Sequence, residues 1–544
     1  MSRLLVAIFS CGKFRFLVFL GSALGFFLET ESTVSGQETT GKPDIILILA
    51  DDLGYSDIGC QGGEIKTPNI DRLADEGARF TAASNTARCC PSRASLLTGA
   101  YAHRVGLGWM TQVDQGRPSY HGDLAADCVT VPEVLASVGY RSFMSGKWHL
   151  TAERNSQSLP ASESWPTRRG FEKYFGIMGG GDSYVGPKFL VNNEARVKPG
   201  AKFQMTDAIS DAAVEFVNEP LTQPRFIYVA YTAPHWPLHA DEKSVERNLA
   251  TYSVGYDRIA QARLTRLRKL GLLGDQQQAA SVSAFDWDNL APEVKADQVR
   301  RMAVYAAQIQ DMDRGIGRIL DAVAKSGREK NTLILFASDN GSCAEVLEAP
   351  PLPANLSDSL RSSYGKAWAT VSSLPFRGYK KEPTQGGVAT PFFMWWPAQI
   401  KPGQRIDLPV HLIDVLPTLA EITGAVFPTQ RNDKATIRPD GISLLPALAG
   451  KDAPVRNLYF EHEGGRAVRR GSLKALALAG SDSWQLYDLT ADPAELHDLA
   501  SERPADLVAL QESWEKWASS NGVLPLDARG WGERTLNPDG WKKK

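Results

Sequence analysis

Apolar runs and polar clusters alternate along the chain in a way that fixes most of its elements. The run 45–50 is continuously apolar and stops at Asp51-Asp52, as a strand buried on both faces does. Thr67-Pro68 opens a predicted helix at 69–76, with Ile70, Leu73 and Ala74 on one face and Gly77 closing it. Strand followed by polar turn recurs at 141–145 before Gly146-Lys147-Trp148-His149, at 225–230 before Pro234-His235, and at 332–337 before Asp339-Asn340. Val299, Met302, Ala306, Ile309, Ile316, Leu320 and Val323 fall three and four apart or at multiples of a turn, which predicts a long helix over 297–325. Strands alternating with helices imply an α/β fold, a large and mostly parallel sheet flanked by helices. Ligands of such sheets gather beyond the carboxyl ends of the strands, where all these polar clusters fall. The stretches 240–289 and 350–373 break the rhythm and read as insertions near the mouth of such a site.

After about residue 430 the pattern changes to short runs at 457–461, 466–470, 472–478 and 484–488, which predict a small antiparallel sheet. A helix at 505–519, with Leu507, Leu510, Trp514 and Trp517 on one face, is expected to pack on it. At the other end, Arg3, Lys13 and Arg15 precede the apolar stretch 16–28, and Val34-Ser35-Gly36 follow, which reads as a secretory signal. An uncleaved anchor is the other reading of that stretch, although it is short for a bilayer; Cys11 lies before it, unlike the Cys of a lipoprotein cleavage site. The expected division is a signal peptide at 1–36, a catalytic α/β domain at 42–430 and a C-terminal α+β subdomain at 431–544. The mature chain is expected to be exported, periplasmic or secreted, with no stable membrane span.

Composition narrows the function. With 43% hydrophobic and 22% charged residues, the 544-residue chain is globular rather than disordered. Its 60 Lys+Arg against 62 Asp+Glu leave no basic footprint, which excludes a nucleic-acid partner of the usual kind. Beyond the leader stand Cys60, Cys89, Cys90, Cys128 and Cys343, an odd number, so at least one is unpaired or chemically special.

The chemistry centres on 89–99, Cys-Cys-Pro-Ser-Arg-Ala-Ser-Leu-Leu-Thr-Gly, where Pro91 suits a first helical turn and Gly99 a helix end. Cys89 then sits at a helix N-terminus, where backbone N–H groups and the helix dipole favour negative charge, with Arg93 a turn further on. A helix that merely buries two cysteines is the plain alternative. Asp51-Asp52 and Asp339-Asn340 each follow a strand, so the fold can gather three carboxylates and an amide oxygen at one sheet edge. Taken alone, each pair also suits a turn or cap. Gathered, they need a hard cation such as Ca²⁺ or Mg²⁺ rather than Zn²⁺.

The segment 89–99 resembles the signature of the formylglycine-dependent (type I) sulfatases, arylsulfatase-like members of the alkaline-phosphatase-like superfamily. That resemblance implies that a formylglycine-generating enzyme oxidises Cys89 to formylglycine. It also implies that Asp51, Asp52, Asp339 and Asn340 hold one divalent cation, usually calcium, with the oxygen at residue 89 completing the shell. Gly146-Lys147-Trp148-His149 is similar to the family segment whose Lys and His reach the formylglycine and the sulfate; in an extended backbone the two side chains project to one side. Ala233-Pro234-His235-Trp236-Pro237 resembles the second His motif, whose His contacts the bridging ester oxygen, while His239 matches no catalytic position. Arg377-Gly378-Tyr379-Lys380 before Gln385-Gly386-Gly387 resembles the sulfate-binding Lys motif, and the spacing selects Lys380 over Lys381. Here the chain departs from the family, which usually has Glu at Gln385 and often Ile-Arg at Val388-Ala389. The resemblance extends over 42–518, taking in 411–418 and 486–498 as scaffold.

The implied reaction is hydrolysis of an aryl or carbohydrate sulfate monoester. Hydrated formylglycine, activated by the metal and Arg93, attacks sulfur while His235, assisted by Lys380, protonates the leaving oxygen. His149 then deprotonates the sulfated residue to expel sulfate, and Lys147 with the metal stabilises the sulfuryl oxygens. A phosphoester or phosphonate hydrolase of the same superfamily is the alternative, although a second metal would need a His where Asn340 stands. An inactive exported binding protein would require a lost site residue, and none is lost. The expected partner is a sulfated small molecule or saccharide. The run 461–464 and the thirteen Trp can serve either the pocket or the scaffold.

Overall fold

The computed structural model describes residues 41–156, 161–347 and 351–543, so the predicted leader 1–36 lies outside the described residues. The strand predicted from the apolar run forms at Asp44–Asp51 (β1) and is buried along its whole length. Its neighbours are Ala78–Phe80 (β2), Arg141–Lys147 (β3), Lys173–Ile177 (β4), Leu190–Asn192 (β5), Ala195–Arg196 (β6), Arg225–Pro234 (β7), Thr332–Ser338 (β8), Phe392–Trp395 (β9) and Gln404–Ile406 (β10). They make one ten-stranded sheet in the order β10-β2-β9-β8-β1-β7-β3-β4-β5-β6. Its centre, β8-β1-β7-β3-β4, is wholly parallel, while β9, β5 and β6 run antiparallel to their neighbours toward the edges.

Alternation along β1 sends its side chains into two separate cores. Ile46, Ile48 and Ala50 join Met302, Ile309 and Ile316 of the long helix Pro292–Lys325 (α1). Ile45, Leu47 and Leu49 join Leu96 and Leu97 of the helix Cys89–Thr98 (α2). A strand apolar on both faces therefore requires helices on both sides of the sheet, which is what forms. The long helix begins at Pro292, five residues before the predicted start, because Pro292 occupies its first turn, where a missing N–H costs nothing. The stretch 240–289 folds as helices Glu242–Tyr252 and Tyr256–Lys269 rather than as a flap at the site. Arg263 of the second is buried and pairs with Asp57 and Glu64 at 2.7 Å each, so this segment braces the scaffold.

The C-terminal strands Asn457–His462, Gly465–Arg470, Leu473–Ala477 and Gln485–Asp488 form the predicted antiparallel sheet, and helix Pro504–Ser520 packs on one face through Leu510, Trp514 and Trp517. The other face, with Leu458, Phe460, Ala467, Leu476 and Tyr487, packs on Ala87 and Val388. That contact ties the small sheet to the loop immediately before Cys89. The five described cysteines are all free thiols and all buried. No helix among the described residues is long and apolar enough to cross a membrane.

His411 links acid stability to this scaffold. Its Nδ1 accepts the Ile413 N–H at 3.2 Å, and Asp414 accepts the His411 N–H at 2.9 Å. Burial, with Arg456 nearby, pushes the imidazole from 6.5 down to about 3. The unfolded chain therefore binds a proton that the folded one refuses between those values. The resulting stability is complete above 6.5 and is lost as pH falls toward 3. His411→Asn keeps a cap acceptor and removes the titration. Urea unfolding across that range is expected to show an acid slope smaller by up to about one proton. An unchanged slope would assign the acid sensitivity elsewhere.

Candidate active site

The polar turns converge because the central strands end together. Asp51 closes β1, and the Asp339 N–H donates to the Ala50 carbonyl at 3.1 Å, which sets the turn after β8 beside the turn after β1. Asp52 takes a left-handed φ of 65°, its N–H donates to Asp339 Oδ1 at 3.3 Å, and Asn340 Nδ2 donates to Asp52 Oδ1 at 2.6 Å. All four residues are at most 1% exposed.

Cations from three other elements enter this carboxylate cluster. Lys147, the last residue of β3, places Nζ 2.6 Å from Asp51 Oδ2. Lys380 lies 2.7 Å from Asp52 Oδ1, whereas Lys381 turns away to Glu345 at 3.1 Å. Arg93, fully buried on α2, donates through Nε and Nη2 to Asp339 Oδ2 at 2.9 and 2.7 Å and through Nη1 to the Lys147 carbonyl at 2.8 Å. Burial would raise the Asp52 carboxyl, but Lys380 and His235 hold it well below its ordinary value. Burial and the charge of Asp51 push Asp339 up to about 6 against the pull of Arg93.

Asp51 Oδ1 and Asn340 Oδ1 are buried acceptors that receive no hydrogen bond. Orphaned buried acceptors are costly, and two oxygens of this kind beside two further carboxylates suit a hard cation. The donor atoms of Asp51, Asp52 and His235 also lie within 4.8 Å of one another. His235 was not among the ligands expected from the sequence; the fold brings its Nε2 to 3.6 Å from Asp52.

Cys89 opens α2, preceded by extended Arg88 and by Ala87 at φ 62°. Ser92 Oγ accepts the Thr86 N–H at 3.0 Å, and the Lys381 N–H donates to the Ala87 carbonyl at 2.8 Å, which together fix this strained entry. Cys90 points elsewhere, its Sγ 3.4 Å from Met110 Sδ.

Lys147 and His149 do not sit on an extended segment as the spacing suggested. His149 adopts a left-handed φ of 57°, so the chain turns and aims its imidazole into the cleft. Neither ring nitrogen has a partner, and burial, then Lys147 and Arg93, drive its pKa well below 6.5. Two glycines make this possible. A Cβ at Gly146, φ 110°, would stand 1.8 Å from the Ala230 carbonyl oxygen, and one at Gly180 would stand 2.7 Å from His149 Cε1. His235 packs against Trp236, and its Nδ1 donates to the Trp236 carbonyl at 2.5 Å, which leaves Nε2 facing the cluster. Burial, only partly offset by Asp52, pushes its imidazole down to about 3. His239, in contrast, meets the Ser359 carbonyl at 2.8 Å and does not line the cleft.

Cys89, His149, His235 and Lys380 all face one cleft of about 570 Å³. Its wall also holds residues that no catalytic motif in the sequence marks: Arg88, Glu153, Glu345, Arg361 and Trp531. Of the predicted insertions, 350–373 contributes Arg361 and 240–289 contributes nothing. The turn 461–464 is likewise absent from the wall. Glu461 accepts from His103 and Tyr120 at 2.7 and 2.9 Å, and Glu463 accepts from Trp109 at 3.1 Å, so this turn clamps the C-terminal sheet to the segment 103–120 that follows α2. Most Trp are core, and only Trp236 and Trp531 line the cleft among the described residues.

Comparison with known proteins gives consistent results. The family model described as Sulfatase matches residues 43–425, and the model described as N-sulphoglucosamine sulphohydrolase, C-terminal, matches 384–516. An uncharacterized sulfatase of Schizosaccharomyces pombe is 32% identical over 536 residues, covering 90% of this chain and 95% of its own. The arylsulfatase of Klebsiella aerogenes is 32% identical over 454 residues, 78% of this chain and 95% of its own. The crystal structure of Ps i-CgsB in complex with k-i-k-neocarrahexaose superposes with a TM-score of 0.66 at 27% identity, covering 92% of this chain and 98% of that one.

Proposed function

Because the chain belongs to the sulfatase family and is a sulfuric ester hydrolase, we propose that it cleaves aryl or carbohydrate sulfate monoesters through formylglycine made from Cys89 and one divalent cation. The observation that carries this reading is the shared cleft, in which Cys89, two buried histidines and Lys380 face one another above three carboxylates. Asp51, Asp52, Asp339 and Asn340 would hold the cation, most simply Ca²⁺ with Mg²⁺ as the alternative. Once bound, the cation would supply Lewis acidity toward the sulfuryl oxygens. Hydrated formylglycine supplies the attacking oxygen, placed at a helix N-terminus that favours its anionic form.

The chain's own groups do the rest. Arg93 and Lys147, both fully buried, neutralise negative charge where burial weakens screening. His235 protonates the leaving oxygen, since an anionic ester entering beside its ring raises the imidazolium form that burial otherwise disfavours. Lys380, kept protonated despite burial by the charge of Asp52, assists as a cation. His149, held neutral with both nitrogens unpartnered, is the base that takes the proton in the second half-reaction. The sugar chain seated in the similar Ps i-CgsB structure supports a saccharide substrate, and the 570 Å³ cleft has room for a ring. In this reading 42–430 is the catalytic domain, 431–544 supports it, and the leader 1–36 directs export.

Sulfate release from 4-nitrophenyl sulfate and from a panel of sulfated saccharides tests this, using protein coexpressed with a formylglycine-generating enzyme. Turnover is expected together with an aldehyde in the peptide containing residue 89. A fully active preparation with an intact Cys89 thiol would refute the mechanism. The two histidines separate by leaving group: His235→Ala should hurt unactivated esters more than 4-nitrophenyl sulfate by ~10²- to 10⁴-fold. His149→Ala should slow both alike and let sulfated protein accumulate. Trapping sulfated protein in the His235 variant instead would reverse the two roles.

A further inference from the structure

One carboxylate that the mechanism does not use lies where three site-bearing segments meet. Glu345 follows the turn after β8, and its side chain lines the cleft with 20% exposure. Its Oε1 accepts from Arg88 Nη1 at 3.2 Å and from Lys381 Nζ at 3.1 Å, and its Oε2 accepts from Trp236 Nε1 at 3.1 Å. Each partner is the immediate neighbour of a proposed functional group: Arg88 of Cys89, Lys381 of Lys380, and Trp236 of His235. These segments come from different parts of the chain.

We propose that Glu345 is a positioning residue, a single anionic clamp that sets the nucleophile, the sulfate-binding lysine and the leaving-group acid at their working separations. The inference rests on the roles assigned above. Two of the three grips act on strained backbone, since Ala87, just before Arg88, has φ 62° and Lys381 has φ 81°. Such conformations persist only where the surroundings over-determine them. The third grip acts through Trp236. His235 donates to the carbonyl of that residue and packs 4.7 Å from its ring, so the direction of the indole fixes the direction of the imidazole. Charge supports the same role. A bare carboxylate in a cleft for anionic esters would repel them, but Arg88 and Lys381 neutralise this one, so it can sit in the wall without opposing binding.

Glu345→Gln, Glu345→Ala and Trp236→Phe should be compared with His235→Ala on 4-nitrophenyl sulfate and phenyl sulfate, which differ in leaving-group basicity. Rates are corrected for the aldehyde content at residue 89. The Glu345 variants are expected to lose ~10- to 100-fold in kcat on phenyl sulfate, the scale of a small misplacement of reacting groups. They should lose distinctly less on 4-nitrophenyl sulfate. Their KM should be unchanged or lower, because Arg88 and Lys381 are left unpaired in the wall. Trp236→Phe removes one donor and should reproduce the leaving-group preference, and the Glu345→Ala/Trp236→Phe double variant should show no further change in it. A merely structural role would scale both substrates alike through the fraction of folded enzyme. If Glu345→Ala does not fold, the near-isosteric Gln variant and Trp236→Phe carry the same readouts.

A raised KM with unchanged kcat would overturn the inference. So would equal losses on both substrates while His235→Ala discriminates between them. If His235→Ala itself fails to discriminate, the acid assignment is wrong, and the clamp is then judged on kcat alone: unchanged kcat at full aldehyde content overturns it, and a loss at unchanged KM sustains it.

Discussion

Cys89→Ala is expected to abolish turnover, by ~10⁴-fold or more, with the fold intact. The size follows from what is removed. Losing an acid or a base leaves the rest of a site working, whereas losing the atom that bonds to sulfur leaves only binding and electrostatics. Alanine cannot become an aldehyde, so no hydrate forms at this position. The fold should survive because residue 89 contributes only a small buried side chain at the first position of α2. The helix entry is held instead by the Ser92 N–H donating to the Arg88 carbonyl at 2.9 Å and by the Thr86 to Ser92 contact. The check is a kcat measurement with a thermal melt. Activity within about tenfold of the parent protein at an unchanged melting temperature would remove residue 89 from the chemistry, since the expected loss is far larger.

Removing the divalent cation is expected to have the second largest effect, loss of activity to background with recovery when Ca²⁺ is returned. Asp51, Asp52 and Asp339 carry three carboxyl groups in a region at most 1% exposed, and lysines at 2.6 and 2.7 Å compensate only two of them. Asp339 shares Arg93 with Asp51 and is still pushed up to about 6 by burial and by the charge of Asp51. The orphaned oxygens of Asp51 and Asn340 add unsatisfied acceptors at the same point. A cation relieves both at once. Because it would bind the folded site and not the unfolded chain, saturating Ca²⁺ should also raise stability, by ~2.7 kcal/mol at a hundredfold excess over Kd. Elemental analysis of active protein should find one such ion per chain. Two zinc ions per chain, with full activity toward phosphate esters, would turn the assignment to the phosphatase alternative.

The local sequence was enough to place the central elements. A strand apolar on every residue, as at 45–50, has no stable home except between two helical layers, and the polar pairs that end such strands must gather at one edge. Asp51, Asp52, Asp339 and Asn340 were readable as candidates for that reason, each lying at the end of a strand that hydrophobic periodicity marks, whereas Cys89 was singled out by the helix-start pattern of 89–99 and its resemblance to the sulfatase signature. The start of the long helix at Pro292 was misplaced because its first turn is too exposed to show the period.

What only the tertiary structure decided is the set of contacts between segments far apart in the chain. Extended spacing put Lys147 and His149 on one side, yet the left-handed turn at His149 depends on Gly146 and Gly180, whose missing side chains matter only because Ala230 and the imidazole occupy those places. The stretch 240–289 interrupts the pattern just as 350–373 does, but the buried Arg263 needed Asp57 and Glu64 as partners, and that ion pair carries the segment away from the cleft. Glu345 has no periodicity or motif around it at all. Its meaning comes from Arg88, Trp236 and Lys381, residues that only the closed sheet edge brings within 3.2 Å of one carboxylate. Sequence patterns report what each segment must bury, whereas the pairing of charges across the site depends on distances that exist only once those burials have all been made.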